Sequence, residues 1–139
     1  SDVCHELGHA SHFSQVGTGY WNNYIRYIVE TYLQTGGMTY GDGTTEGAGY
    51  CEIGESWAYY LESMMYKERY GGSIPSFGTG YWFYPQIFRY LDERGLTRSS
   101  IFSVLDESVK SREELRTALI GAFPEKRTII EQVFGRYGN

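Results

Sequence analysis

Val3-Cys4-His5-Glu6-Leu7-Gly8-His9-Ala10-Ser11-His12-Phe13 opens the chain and holds all three of its histidines. Val3, Leu7, Ala10 and Phe13 recur at helical spacing, so the stretch reads as a helix from Ser1 to about Ser14, with Asp2 favouring its N-terminus. Residues four apart on a helix stand one above the other, so His5 and His9 project from one face. His-Glu-x-x-His in that setting is a metal-binding pattern, because two such imidazoles can hold one zinc ion at tetrahedral angles. Glu6 lies about 100° around the helix, too far to share the ion equally but able to reach a water bound to it. That position suits a general base.

Catalytic zinc takes three protein ligands and leaves one position open. His12 is one turn past His9 and would have to bend round the same helix, so it reads as a bystander. A longer pattern with a third histidine needs glycine at His12 and histidine at Gln15, and neither is present. The remaining ligand is therefore a carboxylate or a thiolate. Glu52 and Glu55 share a helix face at i and i+3 and both qualify.

Outward from the motif, Gly17-Thr18-Gly19 ends the first helix, and a second is expected from about Trp21 to Gln34. The segment from Thr35 to Gly49 holds six glycines and reads as a long loop of the kind that often carries function. Helical periodicity resumes from Tyr50 to about Tyr70, with Gly71 placed as a C-terminal cap. After the loop Ser73–Gly80, an aromatic helix is expected from about Tyr81 to Arg94. Short helices follow: Ser111-Arg112-Glu113-Glu114 is a capping box, and Pro124 suits the first turn of a last helix carrying Ile129, Ile130, Val133 and Phe134. No strand signal stands out. The expectation is one mainly α domain over residues 1–139, with the metal-site helices in 1–72 and a helical C-terminal part in 73–139. Gly17-Thr18-Gly19-Tyr20-Trp21 recurs as Gly78-Thr79-Gly80-Tyr81-Trp82, which reads as a duplication, as similar turns bordering one cleft, or as coincidence.

Composition bounds the rest. A chain of 139 residues suffices for one core, and its net charge of −5 disfavours a nucleic-acid partner. No apolar run approaches the roughly 20 residues of a membrane span. Fourteen tyrosines give rings that offer apolar area with a polar tip, a composition common to sugar- and peptide-binding grooves and to ordinary cores. Cys4 and Cys51 form either one disulfide or two free thiols.

Two segments resemble the gluzincin zinc metallopeptidases, the thermolysin-like and aminopeptidase-like enzymes. Asp2-Val3-Cys4-His5-Glu6-Leu7-Gly8-His9-Ala10 is similar to their active-site helix, and Glu55-Ser56-Trp57-Ala58-Tyr59-Tyr60-Leu61-Glu62 to the helix of their third ligand, with Gly54 where the family carries asparagine. The resemblance implies one zinc ion on His5, His9 and Glu55, with Glu6 as general base in peptide-bond hydrolysis. It implies a zincin-like helical portion of a catalytic domain, in a fragment whose upstream β-sheet subdomain belongs to the parent protein and serves as its partner. A peptide or protein is the expected substrate, in a cell-envelope or extracellular setting. Family members also steady the oxyanion with a tyrosine or histidine, for which Tyr81 and Tyr84 are the candidates here. Tyr59 is expected either beside a ligand or in the core. The alternative is a non-catalytic zincin-like domain that binds peptide or glycan through a tyrosine-rich cleft.

Overall fold

A computed structural model describes residues 2–138, without the side chain of Asp2; the capping role read for Asp2 and the helix start at Ser1 therefore lie outside the described residues. Seven α-helices and one 3-10 turn make up the regular structure, and no strand occurs among the described residues. The mainly α expectation holds. In order the helices are α1 (Asp2–Val16), α2 (Thr18–Thr35), α3 (Ala48–Tyr70), α4 (Gln86–Glu93), α5 (Arg98–Ser103), α6 (Arg112–Ala122) and α7 (Arg127–Gly135).

Glycines set the boundaries around the first three helices. Gly17, at φ 86°, lets the chain turn from α1 straight into α2. Gly71, at φ 73°, stops α3 and donates its N–H to the Lys67 carbonyl at 2.7 Å. The capping box at α6 forms: the Glu114 N–H reaches Ser111 Oγ at 3.1 Å. Pro124 opens the 3-10 turn Pro124–Lys126 rather than α7 itself.

The aromatic helix is shorter than the sequence predicts. It begins at Gln86, and Tyr81–Tyr84 lie in irregular chain. Pro85 explains this, because its ring disfavours helical geometry at the residue before it and it sits comfortably at a helix start. The second Gly-Thr-Gly-Tyr-Trp copy therefore forms a turn, whereas the first begins α2.

The centre of the molecule is α3. From Ala48 to Ser63 it is buried on nearly every side, with α1 and α2 on one flank and the C-terminal helices on the other. The larger core joins Trp57, Tyr60 and Leu61 of α3 to Phe88 and Leu91 of α4, Leu119 of α6 and Phe134 of α7. A smaller cluster joins Tyr24 and Tyr27 of α2 to Cys51 and Phe83. Both cysteines are free thiols, and burial pushes the Cys51 thiol well above its ordinary pKa. Gln15 ties the end of α1 to the C-terminal half, donating from Nε2 to the carbonyls of Phe102 at 2.6 Å and Leu105 at 2.8 Å.

α1 and α3 form the most extensive helix–helix contact in the fold, and they cross closely. At Gly8, inside the histidine motif, an added Cβ would lie 2.8 Å from the Ala58 Cα and 3.3 Å from its Cβ. Backbone sets the shorter of these contacts, so no side-chain rotation relieves it. Gly8→Ala should separate the helices and cost about 1–3 kcal/mol, the usual range for overpacking. A urea unfolding midpoint equal to that of the unaltered protein would show that the crossing tolerates the methyl.

Candidate metal centre

Packing α1 against α3 brings His5 and His9 onto Glu55. The two imidazoles stand edge to face, 4.8 Å between ring centroids. Glu55 lies between them, with Oε1 3.1 Å from His5 Nε2 and Oε2 3.0 Å from His9 Nε2. One ligand atom from each residue lies within 4.8 Å of the others. Neighbouring ligands at tetrahedral angles about one zinc ion stand about 3.3 Å apart; the Glu55 oxygens lie near that spacing from each imidazole, the 4.8 Å spread of the set would have to close on an ion, and the donor types suit zinc. His5, His9 and Glu55, expected together from the sequence, are together in space.

The carboxylate is 2 % exposed, which makes its ionisation the central electrostatic question of the site. Burial alone would raise its pKa, but hydrogen bonds from the His5 and His9 imidazoles outweigh that and hold it below the ordinary range. Burial works to lower the pKa of His5, yet its bond to Glu55 and the nearby Glu55, Glu62 and Glu6 carboxylates raise it. The Tyr24 hydroxyl also donates to Glu55 Oε2.

Around these atoms the fold supplies a supporting ring that the sequence reading missed in part. Tyr24 comes from the buried Tyr20-Tyr24-Tyr27-Thr31 face of α2. Glu62 stands two helical turns past Glu55 and places Oε1 3.2 Å from His5 Nδ1, an ion-pair distance without hydrogen-bond alignment. A carboxylate behind a ligating imidazole fixes its orientation and raises its basicity. The signal for Glu62 was present as a carboxylate at i+7 from Glu55 on one face of α3. For Tyr24 only the burial of α2's face supplies it. Tyr59 lies on His5, ring centroids 4.3 Å apart, and so acts as a wall of the site. Trp21 contacts His9 from the other side at 5.7 Å.

The other named residues separate clearly. Glu6 is exposed on α1 and makes no hydrogen bond or ion pair among the described residues. Its charge is felt at His5 and at Tyr40. Glu52 faces Arg112 instead, accepting from its Nε at 2.9 Å and its Nη2 at 2.5 Å. His12 is fully buried, edge-on to Tyr20 at 5.1 Å, and burial together with the nearby His9 lowers its pKa to about 4. It stays neutral and outside the cluster. Tyr81 stacks on Tyr59 at 5.9 Å and is one ring removed from His5. Tyr84 packs on Tyr137 at 4.5 Å and under the Arg112 guanidinium, so the structure does not bring it to the histidines.

The glycine-rich loop is held down against this site. The Tyr40 carbonyl accepts from Tyr27 Oη at 2.9 Å and Trp82 Nε1 at 2.8 Å, and its hydroxyl meets that of Tyr59 at 3.2 Å. Gly43, at φ 83°, lies so close to Trp82 that a Cβ would fall 2.5 Å from its ring.

Comparison of the chain with protein-family models, with characterised proteins and with solved structures finds no match.

Glu55→Ala should abolish stoichiometric zinc binding, measured by metal analysis after competition with a chelator. Glu52→Ala should retain zinc while losing stability, since it removes the buried carboxylate that accepts from Arg112 Nε and Nη2. Glu62→Gln and Tyr24→Phe should each weaken zinc about ten- to a hundredfold, the usual effect of removing a partner behind a ligand. Zinc lost from Glu52→Ala but kept by Glu55→Ala would reverse the ligand assignment.

Proposed function

We propose that this chain carries the catalytic centre of a zinc metallopeptidase of the gluzincin type, cleaving peptide bonds in peptide or protein substrates. The observation behind this reading is the convergence of His5 and His9 from one helix with Glu55 from another, beside a glutamate left unpaired. A site that only stabilised the fold would need no carboxylate at Glu6, which is neither buried nor bonded.

His5, His9 and Glu55 would hold the ion. A zinc ion bound there supplies a Lewis acid that acidifies water and polarises a carbonyl. Glu6, facing solvent next to His5, takes the proton of the attacking water and returns it to the leaving amine. Glu62 and Tyr24 keep His5 and Glu55 in place while charge moves. Tyr59 and Trp21 exclude solvent from the two imidazoles on either side. The expected oxyanion role does not suit Tyr84, whose ring is engaged with Arg112 and Tyr137. Tyr81 lies one ring from the histidines and lines the approach to them.

Zinc content and hydrolysis of a mixed peptide library, measured on the unaltered protein and on Glu6→Gln, test the reading. Equal zinc in both, with cleavage reduced at least about a hundredfold in the variant, is the expected result for loss of a general base. Equal zinc with no cleavage by either protein would make this a zinc-stabilised binding domain instead.

A further inference from the structure

Helix α2 is apolar on two sides, and only one of them is covered. Its inner face, Tyr20-Tyr24-Tyr27-Thr31, is buried against the rest of the fold. At about 100° per residue, Tyr32, Ile25, Val29 and Leu33 span an arc of about 100° on nearly the opposite side. All four are open to solvent, at 52 %, 41 %, 52 % and 75 % exposure. Trp21 and Ile28, half-buried, border the arc. A stripe of that width is what a helix ordinarily turns toward a core, whereas apolar residues exposed by accident are scattered singly.

The helix carries only two charges, Arg26 and Glu30, and both are exposed along one edge of the arc. They stand four residues apart with opposite signs. At that spacing Arg89–Glu93, Lys110–Glu114 and Arg127–Glu131 close ion pairs at 3.2, 3.3 and 2.7 Å. Arg26 and Glu30 do not close theirs, and neither makes a hydrogen bond or ion pair among the described residues.

We propose that the outer face of α2 pairs with the same face of a second copy of this chain, the two helices running antiparallel about a two-fold axis near Val29. A two-fold interface must be self-complementary, and this face is. With Val29 at the axis, Ile25 lies level with the partner's Tyr32 and Leu33, so the apolar stripes cover one another along their length. The same axis brings like edges together. Arg26 of each copy then stands within about 3 Å, measured along the helix, of the level of the partner's Glu30. Two cross-pairs result, made from the very charges left open in the single chain. A lipid surface is a poorer occupant, because interfacial helices carry Lys and Arg along their polar face. Here one positive and one negative charge cancel, in a chain of net charge −5. The pairing uses no metal ligand and stands independently of the peptidase reading.

Sedimentation equilibrium of the unaltered protein, from the micromolar to roughly the hundred-micromolar range, should show a monomer–dimer equilibrium. Val29→Glu and Leu33→Glu should each leave the protein monomeric. Both side chains are exposed, so helix content by circular dichroism and zinc content should match the unaltered protein. Arg26→Glu and Glu30→Arg each set like charges face to face twice, and each should weaken the dimer roughly tenfold or more. The double exchange R26E/E30R should restore it. A protein monomeric throughout this range, a dimer that survives Val29→Glu, or charge reversals that do not rescue one another would overturn the proposal.

Discussion

The placement of α1 and α2 against the central helix turns on one buried carboxylate. Glu55 sits in the middle of the central helix at 2 % exposure, where an unpaired negative charge would cost several kcal/mol. Three donors reach it, the Nε2 atoms of His5 and His9 and the hydroxyl of Tyr24, and each comes from a different helix than α3. Meeting that requirement fixes where α1 and α2 must lie. It also explains why glycine occupies position 8, since His5 and His9 reach Glu55 only if α1 crosses α3 nearly backbone to backbone.

The same helix carries two further buried carboxylates, and each is answered by its own partner. Glu52 holds Arg112, at the start of α6, and so anchors the C-terminal helices. Glu62 stands behind His5. One element therefore divides its acidic residues between building the domain and forming the candidate metal cluster. The aromatic residues are divided in a similar way. Trp57, Phe88 and Phe134 fill the core, while Tyr59, Trp21 and Tyr81 surround the histidines.

Much of this was legible in the sequence where the determinant is local. Helical periodicity, the glycine stops and the capping box at Ser111 depend on neighbours in the chain, and they formed close to where the sequence places them. His5 and His9 were legible for the same reason, being one helical turn apart. Glu55 was reached through resemblance, because spacing alone left Glu52 equally eligible; only the crossing of α1 over α3 separates them. Tyr24 could not be read at all, since its role depends on which face of α2 is buried. Tyr84 shows the opposite error. It looked equivalent to Tyr81 along the chain, but Pro85 keeps both out of the helix, and the turn sends one ring to the histidines and the other to Arg112.

X-ray absorption at the zinc edge of the metal-loaded protein addresses the site directly. A centre built from His5, His9 and Glu55 gives two imidazole nitrogens at about 2.0–2.1 Å and carboxylate oxygen at about 2.0–2.2 Å. A sulfur scatterer at about 2.3 Å, which would bring in Cys4 or Cys51, or a third imidazole, which would require His12, contradicts it.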